Sequence, residues 1–233
     1  MHEPSELSRA AAIVDIARDL ARSVPPPRGA PYFCLDSDAA YDPSVLGSFC
    51  ARGIFRKYEF ALDLGSGLGG RARWLATRSG CRILGVDPRP SAVTAAALLN
   101  RRARMDDQVA FQVGHLDRLP LRPRIFTHVW MVDVPDAARS MSALYEAFRV
   151  LRPGGHFALQ CRVLSSTERD GFMGALRAVG FANVESREVE CMELPPPCRL
   201  ARDRLRAAGQ PLRLDEPLAA PRAALHVFAG RPA

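Results

Sequence analysis

A chain of 233 residues, 48% of them hydrophobic, can bury a full core and has room for one domain with additions. Its formal net charge of +7 comes from 31 arginines and one lysine, Lys57, spread over every predicted helix rather than gathered in one run, so the excess reads as composition and not as a nucleic-acid surface. No stretch reaches the apolar length of a membrane span, and the start of the sequence has the pattern of an amphipathic helix rather than a basic-then-apolar signal, which predicts a cytoplasmic protein.

The predicted elements alternate. The first helix puts Ile13, Ile16, Ala17 and Leu20 on one side, and a Pro25-Pro26-Pro27 stop and an aromatic-rich stretch (Tyr32, Phe33, Tyr41, Phe49) follow it. Ala61-Leu62-Asp63-Leu64 is a buried strand that runs into Gly65-Ser66-Gly67-Leu68-Gly69-Gly70 and then into a helix over 71–76. A second apolar strand, 81–87, closes on Asp87, and a helical pattern spans 91–105. A third strand over 109–113 ends at Gly114-His115-Leu116, and a fourth over 125–132 ends at Asp133. An amphipathic helix with Met141, Leu144, Phe148 and Leu151 on one face leads through Pro153-Gly154-Gly155 to a fifth strand, 156–159. The sixth strand is expected over 183–193 and the seventh over 225–229. Between them come Pro195-Pro196-Pro197, a basic helix (Arg199, Arg202, Arg204 and Arg206 beside Ala201, Leu205 and Ala208) and a further proline-rich turn. This order predicts an α/β fold of the doubly wound type, with strands one to five parallel and the last two as an edge pair.

The glycine turn is the most informative feature. A strand, a glycine loop and a helix in succession bring bare backbone N–H groups against a ligand. The spacing Gly65-x-Gly67-x-x-Gly70 also fits a dinucleotide site, but a carboxylate at Asp63 would repel a pyrophosphate and suits a ligand carrying an ammonium group. That favours S-adenosyl-L-methionine. The six cysteines (Cys34, Cys50, Cys81, Cys161, Cys191, Cys198) contain no C-x-x-C pair, so free thiols are expected and no metal site.

Residues 58–193 and the last strand resemble the class I S-adenosylmethionine-dependent methyltransferases, most closely the small-molecule enzymes whose first motif ends in a double glycine. The resemblance rests on 62–70, Gly85-Val86-Asp87, the run from Arg149 to Gly155, and Gly180-Phe181-Ala182-Asn183-Val184. It implies a seven-stranded Rossmann-like methyltransferase sheet within residues 58–233; outside the resemblance, the N-terminal helical segment 1–57 and the insertion 194–222 are expected to form a cap together.

It also implies a cofactor site made of Asp63, Gly65, Ser66, Gly67, Asp87, Pro88, His115, Leu116 and Asp133. Asp63 would hold the loop and meet the ammonium, and Asp87 would accept both ribose hydroxyls. Family members usually carry Gly-Asp-Ala after the third strand. Here His115 would take the adenine amino group as a neutral imidazole with Leu116 packed on the ring, or Asp117 would accept, or backbone alone would hold the base. Asp133 reads as an acid that orients the methionine end or takes the acceptor's proton, or as the N-cap of a helix starting near Pro135. Thr127 stands where the family usually has an aspartate, and His128 reads as a core histidine. Tyr41, with Tyr32, is a candidate polar contact inside the cap, or packs on the domain surface.

The expected reaction is methyl transfer to an O, N or C atom of a small organic acceptor, with no nucleic acid and no membrane as partners; the pattern does not reveal the oligomeric state. Two other readings stand beside it. One is an RNA cytosine-C5 methyltransferase with Cys161 as nucleophile, against which Asp136 occupies the second cysteine's place. The other is a non-catalytic cofactor-binding scaffold on the same fold.

Overall fold

The computed structural model describes residues 5–23, 47, 50–51, 55–132, 140–190, 196–207 and 223–233. In chain order they form α1 (Glu6–Ser23), β1 (Phe60–Leu64), α2 (Gly70–Ser79), β2 (Arg82–Asp87), α3 (Pro90–Ala103), β3 (Val109–Val113), β4 (Phe126–Val132), α4 (Met141–Val150), β5 (Leu151–Arg162), α5 (Ser166–Val179), β6 (Ala182–Glu190), α6 (Pro196–Ala207) and β7 (Ala223–Gly230).

The strands make one seven-stranded sheet in the order β3-β2-β1-β4-β5-β7-β6. Neighbours from β3 to β5 pair in parallel, and β7 enters antiparallel between β5 and β6. Parallel strands covered by helices on both faces must be apolar nearly throughout, and every residue of β4 is buried. One core cluster joins Leu62, Leu64, Val129, Met131 and Phe157 to Leu144 and Leu176 of α4 and α5. The other face joins Ala61, Ile83, Trp130 and Ala158 to Ala72 and Leu75 of α2.

Local signals account for the helix ends. Ser165 and Glu168 form a reciprocal capping box that starts α5, and Ser140 accepts from the Ala143 N–H at 3.3 Å to start α4. Left-handed Gly80 ends α2.

Several boundaries and one helix face differ from the sequence expectation. The third helix runs Pro90–Ala103 rather than 91–105, because Arg104 takes a left-handed conformation and closes it. The fifth strand begins at Leu151 and includes Pro153-Gly154-Gly155: Leu151 pairs with Phe126, the register shifts, and Gly154 N–H donates to Arg231 O at 3.0 Å. On α4 the buried residues are Ala143, Leu144, Ala147 and Val150, whereas Met141 is 41% exposed. The sixth strand is described over Ala182–Glu190; 191–193 lie outside the described residues.

Helices from the two segments read as caps meet. Ala10, Ile13, Val14, Ala17 and Leu20 of α1 pack with Ala95 and Leu99 of α3 and with Ala201 and Leu205 of α6. Among the described residues, no helix is long and apolar enough to cross a membrane.

Candidate cofactor site

The carboxyl ends of β1 and β2 carry the glycine loop and Asp87, beside the point between β1 and β4 where strand order reverses. In open α/β sheets such a reversal opens a crevice. The loop is stitched to the end of β2: the N–H groups of Gly65 and Ser66 donate to Val86 O at 2.7 and 3.0 Å, and Gly67 N–H donates to Asp87 Oδ2 at 2.9 Å. Arg73, fully buried, donates from Nη2 to Leu68 O at 2.9 Å and so holds the outer side of the turn.

Two glycines are dictated by a neighbour's ring. Phe111 of β3 pairs in register with Gly85, and a Cβ on Gly85 would sit 2.5 Å from the ring and 2.7 Å from Ser66 Cβ. A Cβ on Gly69, which has φ +77°, would lie 2.1 Å from the same ring. The ring therefore fills the space that side chains would take, and the loop lies close against β2.

Asp87 is 1% exposed. Besides the Gly67 bond, its Oδ1 accepts from the Arg89 N–H at 3.1 Å and from Arg89 Nε at 3.0 Å. These bonds fix the orientation of the carboxylate. Asp63 is fully buried one turn of chain before the loop. Gly114 N–H donates to Asp87 O at 3.1 Å, which fixes the start of the segment bearing His115. His115 is exposed and bridges to Arg118, Leu116 packs against the core cluster that includes Val86, and Pro88 is exposed.

The structure thus gathers Asp63, Gly65, Ser66, Gly67, Asp87 and Pro88 at one end of the sheet, with His115 beside them. Asp133, Tyr41, Tyr32 and Asp136 lie outside the described residues. Arg89, Phe111 and Arg73 were not singled out in the sequence. Arg89, two residues after a strand-ending acid, was a readable signal, whereas Phe111 looked like any strand residue.

His128 is a core histidine, 3% exposed, with Nδ1 2.8 Å from Thr127 Oγ1. Burial raises the pKa of the Cys50 and Cys81 thiols, so neither is a ready thiolate. Cys161 is 3% exposed and belongs to the cluster on the face opposite Ala61 and Asp63, which gives no support to a nucleophilic role toward a base. Among the described residues, no group of three or more His, Cys, Asp or Glu is arranged to hold a metal.

Comparison with known proteins agrees with this geometry. Residues 62–159 match the family model for a methyltransferase domain. The sterol 24-C-methyltransferase of Eremothecium gossypii is 31% identical over 102 residues, 43% of this chain and 27% of that enzyme. The methyltransferase GfsG of Streptomyces halstedii is 32% identical over 113 residues, 47% of this chain and 40% of that protein. The chain therefore matches less than half the length of these curated relatives. A Haemonchus contortus phosphoethanolamine N-methyltransferase, solved with phosphomonomethylethanolamine and S-adenosylhomocysteine, superimposes with a TM-score of 0.62 at 16% identity, covering 93% of this chain and 61% of that one. At that identity the likeness speaks for the fold.

Proposed function

From the match of residues 62–159 to a methyltransferase-domain family model, we propose that this chain is a class I S-adenosylmethionine-dependent methyltransferase that transfers a methyl group to an O, N or C atom of a small organic acceptor. The observation that carries this reading is the buried Asp87 carboxylate, oriented by Gly67 and Arg89 at the mouth of a loop packed too tightly for side chains at Gly69 and Gly85. A cradle of that shape, with buried Asp63 beneath it, fits an adenosyl amino acid: Asp87 takes the ribose hydroxyls, Gly65, Ser66 and Gly67 line the amino-acid portion, and Asp63 answers the ammonium. Pro88, His115 and Leu116 flank the base. S-Adenosyl-L-methionine, when bound, supplies an activated methyl on a sulfonium.

The protein's own contribution is positioning and exclusion of water, which suffices for a direct displacement without a catalytic dyad. Asp133, next after the last described residue of β4, and Tyr41, in the N-terminal segment, are the candidates for taking a proton from the acceptor or orienting it. The segments 1–57 and 194–222 are assigned to a cap over the acceptor, supported by the packing of α1 against α6. Undisulfided, buried Cys50 and Cys81 are in keeping with a cytoplasmic location.

Titration calorimetry with S-adenosylhomocysteine tests the reading. A micromolar Kd is expected, about 7 to 9 kcal/mol; absence of heat at millimolar ligand would remove it.

A further inference from the structure

Successive same-face rows can be followed across the sheet by register. Asp63 pairs with Trp130, Trp130 with Ala158, and Ala158 with Phe228. Two residues nearer the carboxyl ends of the parallel strands, the next row on that face is Val132, Gln160, His226 and Arg187. Val132 is the last residue of β4, while β5, β7 and β6 run one row further to Arg162, Ala224 and Val189, so this row lies near the carboxyl ends of β4 and β5, on the far side of the β1/β4 reversal from the Asp87 cradle. In the methyltransferase reading the cofactor takes the β1–β3 side of the crevice, which leaves the β4–β5 side for the acceptor.

Gln160 is fully buried, yet neither Oε1 nor Nε2 has a hydrogen-bond partner among the described residues. A buried amide in that state is costly, because it gave up water for nothing in return. Its cross-strand neighbour His226 is 3% exposed, and burial with the nearby Arg187 lowers its pKa to about 4, so it is a neutral imidazole with one donor and one acceptor. Arg187 is exposed at the end of the row. An amide, a neutral imidazole and a guanidinium side by side form a polar row without an acid.

Building on the methyltransferase reading, we propose that Gln160, with His226 beside it, recognises the methyl acceptor, and that the acceptor carries a hydroxyl or carboxylate oxygen near the reacting atom rather than being a hydrocarbon alkene. The amide completes its hydrogen bonds on that oxygen.

Gln160→Leu separates the alternatives. It keeps the side chain's size and removes the amide, so in the ligand-free protein it raises Tm by about 2–8 °C if the amide is unpartnered. With S-adenosylhomocysteine present, p-hydroxybenzoate, catechol, caffeate, squalene and farnesene are compared as probes by calorimetry and by uptake of label from methyl-labelled cofactor. At least one oxygen-bearing probe is expected to bind or be methylated at least tenfold better by the wild type than by Gln160→Leu, with cofactor affinity equal in both. A fall in Tm, label entering the alkenes alone, or no oxygen-bearing probe that distinguishes the two proteins overturns the proposal. Failure of both proteins to bind S-adenosylhomocysteine instead removes the methyltransferase reading, and the Tm comparison stays valid without it.

Discussion

The two ends of the same strands treat polar residues in opposite ways. At the amino ends, buried polar groups cluster on one another. Thr127 Oγ1 accepts from Phe60 N–H at 3.0 Å and lies 2.8 Å from His128 Nδ1. Glu59 Oε2 lies 3.8 Å from that nitrogen and 3.5 Å from Arg152 Nη2, and the His128 ring packs on Phe55 at 4.4 Å. At the carboxyl ends, Asp87 is held mostly by backbone N–H groups and one arginine, and Gln160 has no partner among the described residues. A cavity of about 430 Å³ opens at the amino ends, lined by Phe55, His128, His156 and Phe228, on the far side from the glycine loop. The glycine loop and Asp87 lie at the opposite edge from this cavity.

The largest expected effect comes from Gly69→Ala. The added methyl meets the Phe111 ring in a left-handed conformation, so stability by chemical denaturation should fall by about 2–4 kcal/mol and cofactor affinity should fall with it. A cost below about 0.5 kcal/mol would mean that the ring swings aside freely and does not shape the loop. Next is Asp87→Ala, which removes the acceptor of two hydroxyls and should weaken S-adenosylhomocysteine binding by about 1.5–3 kcal/mol. Unchanged affinity would reduce Asp87 to a staple for Gly67. The smallest effect separates the two edges. Thr127→Val should cost about 1–2 kcal/mol of stability, because Phe60 N–H and His128 lose a partner. Cofactor affinity should stay within about twofold, since the substitution sits outside the crevice; a larger change would show that the edges are coupled.

Much of the glycine-loop half was legible because its signals are local. A run of buried apolar residues, a glycine turn and a strand closing on an acid all lie within contiguous segments, so Asp63, Gly65, Gly67 and Asp87 could be read directly. The helix face with Met141 was misread. Hydrophobic spacing names candidates for burial, but the angle at which α4 meets β4 and β5 selects Ala143, Leu144, Ala147 and Val150 instead. Leu151 was assigned to the same face, yet it pairs with Phe126 and starts β5.

By itself, the sequence determined the alternation of strands and helices, the glycine loop and the placing of Asp63 and Asp87 at the ends of the first two strands, because turn chemistry and side-chain period act over a few residues. Tertiary structure alone decided the rest. Phe111 dictates Gly69 and Gly85 only because β3 lies beside β2 in that register, and Gln160 meets His226 only because β7 inserts between β5 and β6. These contacts join residues far apart in the chain, and which of them form is chosen by how strands pair and helices pack, a choice that no local pattern encodes.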